Sequence, residues 1–179
     1  MKPLIKLAEG IDWVNHKIGW VASWMILLAC LVSAGNASFR KIFDNSSNGA
    51  LELQWYMFAA TVMLGAAYTL KRNEHVRVDI IYGTRAPRTR AIIDTLGIIF
   101  FLLPSMFLIS KLALPTFINA FNSGEMSSNA GGLIRWPFVI LLPLGCALVF
   151  IQGVSELIKR IGFLTGQYNM DVTYERPLQ

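Results

Sequence analysis

Four apolar runs alternate with polar stretches along this chain, at about residues 18–37, 53–70, 91–114 and 134–158. A helix of about twenty residues rises ~30 Å, the thickness of a bilayer's hydrocarbon core. Each run therefore predicts a membrane-spanning helix. Between the second and third runs, Lys71 to Arg90 holds six of the sixteen Lys and Arg residues.

The runs carry their own punctuation. Trp20 and Trp24 lie four apart near one end of the first run, Trp55 starts the second and Trp136 the fourth. Amphipathic rings favour headgroup level, so these four tryptophans read as membrane-interface anchors. The small residues Gly19/Ser23, Ala29/Ser33 and Thr61/Gly65 recur at four-residue spacing, which lets helices approach closely. In the third run, Asp94 is four residues from Arg90, and a helical pair would offset its charge. Pro104 predicts a kink, Lys111 a snorkelling side chain and Pro115 a stop. Glu156 stands at i+3 and i+4 spacing from Lys159 and Arg160.

The polar segments divide into three kinds. Residues 1–17 repeat Leu4, Leu7, Ala8, Ile11 and Val14 at helical spacing, with charges between them. They read as an amphipathic interfacial helix leading into the first span. Acidic residues and Trp13 within this segment argue against a secretory signal. Residues 38–52 and 115–133 read as loops, and 159–179 as a polar tail. The segment of about 74–86 reads as a short interfacial arm. Val78, Ile81 and Tyr82 would face lipid there, with Glu74, His75, Arg77 and Asp79 among the headgroups. His75 and Asp79, four apart, can pair on such a helix. Pro87 suits the first turn of the helix that follows.

Charge then orients the chain. Twelve of the sixteen Lys and Arg residues fall in the N-terminal segment, the central stretch and the tail. Arg40, Lys41, Lys111 and Arg135 fall on the other side. Retention of positive charge inside the cell places both termini in the cytoplasm. The chain is 54% hydrophobic and only 15% charged, against roughly 25% charged in soluble domains. The fold class predicted is an all-α integral membrane protein with four transmembrane helices plus amphipathic interfacial helices. The net charge of +5 follows from orientation and implies no nucleic-acid partner.

Candidate chemistry is sparse. Cys30 and Cys146 lie inside apolar runs, so neither a disulfide framework nor a metal site is predicted. His16 and His75 are the only histidines, and neither falls at mid-membrane, where haem ligands would be needed. No nucleophile–base pair or phosphate-cradling loop occurs, so no catalytic residue and no cofactor is predicted. Glu52, Asp94 and Glu156 each sit within about a turn of a span end and read as interfacial charges rather than a relay. A self-sufficient homo-oligomeric transporter or channel is the alternative reading. Small multidrug exporters place an essential Glu in their first span, and residues 18–37 contain no acid.

Ordered motifs carry a resemblance. Glu52-Leu53-Gln54-Trp55-Tyr56, Leu64-Gly65-Ala66-Ala67-Tyr68-Thr69-Leu70 and Glu74-His75-Val76-Arg77-Val78-Asp79 come first. Ser127-Ser128, Gly131-Gly132, Trp136, Leu142-Pro143-Leu144-Gly145 and Gln152 follow. Over about residues 13–162 the chain resembles the small membrane subunit of TRAP transporters, the DctQ-like family. The resemblance implies a bacterial inner-membrane protein that forms a heterodimer with a large TRAP membrane subunit, among phospholipids. A periplasmic substrate-binding protein would supply an organic anion, and the large subunit would carry it inward with sodium. Substrate and ion sites belong to that large subunit, so none is carried over. The arm residues would serve assembly, and Arg40, Lys41 and Arg135 would meet the binding protein transiently.

Overall fold

The structure is a computed structural model and describes residues 2–44, 47–74, 82 and 84–169. Its elements are α1 (Lys2–Phe43), α2 (Asn48–Arg72), α3 (Pro87–Gly97), a π-helical turn (Ile98–Leu102), α4 (Leu103–Ser123), α5 (Trp136–Val139) and α6 (Leu141–Leu164). Among the described residues the one β pairing is an isolated antiparallel bridge between Met126 and Ile134.

Three stretches are long and apolar enough to cross a membrane: Lys2–Phe43, Pro87–Ser123 and Trp136–Leu164. With 25 residues, α2 is long enough but less apolar. Burial is the reverse of a soluble protein's. Phe101, Leu112 and Trp55 are 74%, 67% and 67% exposed, while Gln152, Asn15 and Glu156 are 0%, 2% and 5% exposed. Water would penalise that arrangement on both counts, whereas lipid favours it.

The hub is α6. Helices α1, α2 and α4 all pack on it, and α1 packs on α2, but α4 meets neither α1 nor α2. The bundle is thus open, with α4 packing on α6 and on the short α5. Glycines permit two close approaches to α6. A Cβ on Gly145 would lie 2.8 Å from the Met63 carbonyl oxygen of α2, and one on Gly153 would lie 2.5 Å from the Leu102 side chain. Hydrogen atoms at these two positions bring α2 and the π turn against α6.

Residues 2–17 are helical and lead into the first span without a break. Several boundaries differ from the sequence expectation. The loop expected over 38–52 is mostly helical: α1 runs to Phe43 with Arg40 and Lys41 in its last turn, where positive charge suits the helix dipole. Asp44 turns left-handed at φ 49, and the Ser47 hydroxyl accepts the Ala50 N–H to start α2.

Pro87 does begin α3. A π turn sits directly before Pro104, widening the helix where the ring displaces the backbone. Pro115 does not end α4, which continues to Ser123 and stops at Gly124, φ 61. Residues 159–164 belong to α6 rather than to a tail, because Lys159, Arg160 and Gly162 face the bundle.

Candidate functional site

Two polar clusters lie at opposite ends of the bundle. The larger is built on the C-terminal half of α6, where Gln152, Ser155, Glu156, Lys159 and Arg160 follow helical spacing along one buried face. The facing side of α1 supplies Ala8, Asp12 and Asn15, again one turn apart. Antiparallel packing zips the two rows together. Asn15 Nδ2 donates to Gln152 Oε1 at 2.7 Å, and Gln152 Nε2 donates to Asp12 Oδ1 at 2.8 Å. Ser155 Oγ reaches Asp12 Oδ1 at 2.9 Å and the Ala8 carbonyl at 3.1 Å.

The charges are balanced in space. Lys159 Nζ lies 3.0 Å from Asp12 Oδ2 and also pairs with Glu156. Arg160 pairs with Glu156 and lies 3.3 Å from Asp94 Oδ2 of α3. Tyr82 Oη donates to the same Asp94 oxygen at 2.8 Å. Lys71 Nζ of α2 donates to the Asp12 carbonyl at 3.0 Å. Three carboxylates thus face Lys159 and Arg160, while the Lys71 ammonium holds the Asp12 backbone carbonyl. The network fastens α1, α2, α3 and α6 at one level. Its members compensate one another, which is what lets charges sit in a buried site.

The second cluster centres on Glu52 in the first turns of α2, 5% exposed. Its carboxylate accepts the Leu133 N–H at 2.7 Å, Asn129 Nδ2 at 2.6 Å and the Ser127 hydroxyl. No cation stands within 4 Å of it among the described residues. Those three donors hold the carboxyl below the ordinary glutamate range, the Leu133 N–H most of all. The loop they belong to closes through Ser127 N–H to the Leu133 carbonyl and Arg135 N–H to the Glu125 carbonyl, both 2.9 Å. A Cβ on Gly132 would lie 2.6 Å from that of Ser127, so only glycine fits this tight turn. Asn48 Nδ2 donates to the Ala130 carbonyl at 3.1 Å and adds a second tie to α2.

The sequence-predicted residues scatter around these clusters. Of the two described arm residues, Glu74 and Tyr82, Tyr82 joins the larger one. Glu74 is exposed and pairs with Arg72 at 3.2 Å. His75, Arg77, Val78, Asp79 and Ile81 lie outside the described residues, as does the proposed His75–Asp79 pair. Trp20 and Trp24 meet edge-on at 5.9 Å on an exposed face of α1, and Trp55 is exposed on α2. Trp136 packs edge-on against Phe121 at 5.6 Å. Arg40 and Lys41 are exposed, and Arg135 pairs with Glu125.

The structure extends two sequence expectations. Asp94 is held by Arg160 and Tyr82 rather than placed for a helical pair with Arg90 alone, because α3 packs on α6. Glu52 and Glu156, expected as interfacial charges near span ends, are in addition buried and hydrogen-bonded. The pairing of Glu156 with Lys159 and Arg160 matches the spacing, but Asp12, Asn15, Gln152 and Ser155 went unseen as partners. The signal was there in the helical spacing of Gln152, Ser155 and Lys159 on an otherwise apolar run.

In the larger cluster the Ser155 hydroxyl and the Asn15 and Gln152 amide N–H groups donate to carboxylate and carbonyl oxygens. What the clusters can do is hold helices and one loop in fixed register. Residues 28–162 match the family model described as tripartite ATP-independent periplasmic transporters, DctQ component. No curated protein and no solved structure matches the chain.

Proposed function

The chain belongs to the DctQ component family of tripartite ATP-independent periplasmic transporters, and from that premise we propose that it is a fixed scaffold subunit rather than a carrier. The match over residues 28–162 carries this reading. Membership implies two further components, a large membrane subunit and a periplasmic binding protein. In the proposed system the binding protein delivers an organic anion of carboxylate or sulfonate type. The large subunit moves it inward with sodium, and this chain packs beside it.

In this reading α2 crosses the inner membrane together with the three more apolar helical stretches, and both termini are cytoplasmic. The distribution of Lys and Arg supports that orientation. The larger cluster then lies at the cytoplasmic headgroups and the Glu52 cluster on the periplasmic side. Asn15 is level with Gln152, and Ala8 with Ser155. The cytoplasmic edge therefore falls near Gln152 rather than Ile158, so the fourth span is shorter than its helix. A network that ties α1, α2, α3 and α6 at one membrane face suits a body that stays still while its neighbour moves. The arm of about residues 74–86, which includes Glu74 and Tyr82, would serve assembly at that face.

Reconstitution tests the reading. Sodium-driven uptake in proteoliposomes should require this chain, the large subunit and the binding protein together. Uptake by this chain alone would overturn it.

A further inference from the structure

We propose that the groove between α1 and α2 seats a transmembrane helix of the large subunit, an inference that rests on the scaffold reading above. Two cavities of about 640 and 720 Å³ line this side of the helix pair, and both are bordered by Ile26 and Thr61, so they run end to end. No residue of α3, α4 or α6 lines either one. From His16 to Ala37 the groove follows α1 for about 21 residues, or ~32 Å. That is the full thickness of a hydrocarbon core and the length of one complete spanning helix.

The walls differ from the floor. Trp20, Ile26, Phe58 and Val62 are 59%, 52%, 66% and 50% exposed and form the rims. Between them lie the small residues Ala29, Ser33, Ala34 and Gly65, while Gly19 is already covered by the Tyr68 ring of α2. A floor of that kind admits a helix backbone to close range.

Hydrogen bonding separates a protein occupant from lipid. The hydroxyls of Ser23, Thr61 and Thr69 already donate to backbone carbonyls, at 2.7, 2.9 and 3.2 Å. The Ser33 hydroxyl, about a turn inside the first apolar run and lining the same groove, has no hydrogen-bond partner among the described residues. Acyl chains cannot supply one, whereas a neighbouring helix with polar side chains can. The exposed surface of the π turn and α4 contrasts with this. Phe101, Phe107 and Leu112, at 74%, 57% and 67% exposure, present bulky hydrocarbon that suits lipid.

A native thiol makes the test direct. Cys30 borders the groove and is exposed, whereas Cys146 is buried. The full chain carrying Cys146→Ser is labelled at Cys30 with a benzophenone maleimide, assembled in membranes with a cysteine-free large subunit, and irradiated. The expected product is a crosslink to a membrane helix of the large subunit. Ala34→Trp should lower co-purification of that subunit at least tenfold, and Leu112→Trp should leave it unchanged. The crosslink is read without the Trp substitutions, so a folding defect in Ala34→Trp cannot mimic or hide it. Adducts only to phospholipid, or only to a second copy of this chain, with the large subunit still co-purifying, would overturn the groove assignment and leave the scaffold role standing. Failure of the unsubstituted chain to co-purify the large subunit would overturn both.

Discussion

Glu156 bridges Lys159 and Arg160, so its replacement by Met strands two cations in a buried site. All three side chains are only 5–8% exposed, and water screens them little. Removing one partner of a buried ion pair costs about 3–5 kcal/mol. Here Asp12 still faces Lys159 at 3.0 Å and Asp94 still faces Arg160 at 3.3 Å, so the lower end applies. A loss of about 3 kcal/mol lowers the folding constant roughly 150-fold. Arg160→Met should cost a similar amount, since it removes a cation from both Glu156 and Asp94. The double variant removes one charge of each sign and fills the space with hydrocarbon. Such replacements are often neutral or stabilising, so it should cost about 1 kcal/mol or less. The double variant should then be more stable than either single variant. Reversible unfolding in mixed micelles, followed by helical circular dichroism, measures all four corners of this cycle. Single losses below about 1 kcal/mol, or a double loss equal to their sum, would refute a compensated buried network.

At the opposite end, the Glu52 carboxyl is depressed by its three donors. Its hold on the loop is therefore complete above the ordinary glutamate value of 4.5 and lost as pH falls through the lower folded value. Proteolysis of residues 124–135 should accelerate below that pH in the native chain and be fast at every pH in Glu52→Gln; identical profiles would contradict the clasp. Gly145→Ala should destabilise the chain by about 1–3 kcal/mol, because Met63's backbone cannot yield. Gly97→Ala, with nothing within 4 Å and a helical φ of −59, should stabilise by about 0.5–1 kcal/mol in the same unfolding assay. Paired Arg40→Glu and Lys41→Glu substitutions should slow association with the binding protein about tenfold at low salt, with the difference shrinking as salt rises. Stopped-flow association rates insensitive to the reversal would remove these residues from the docking surface.

Legibility followed the range of the interactions. The membrane class, the proline at the start of α3 and the Glu156 spacing all depend on composition or on neighbours within one turn. Pro115 was misleading because a proline forbids one hydrogen bond but not a helix, and α4 supplies enough other bonds to continue. The length of α1 was hidden because charge density falls and rises along it while its backbone never meets a breaker. The Glu52 clasp was half visible. Its carboxylate and the Ser127 and Gly131-Gly132 motifs stood out separately, but nothing local linked them.

Hydropathy and positive charge follow from the sequence alone, because each residue's transfer energy belongs to that residue and helical periodicity is local. Those properties determined that the chain is helical and apolar. They also supplied the ordered motifs that match its family. Which polar residues meet was decided only in three dimensions. Asn15 and Gln152 are 137 positions apart, and Asp12 and Lys159 147 apart. Their contact depends on the crossing of α1 and α6, which no local pattern encodes. The same crossing leaves the α1–α2 groove uncovered, because burial on one face of a helix pair exposes the other.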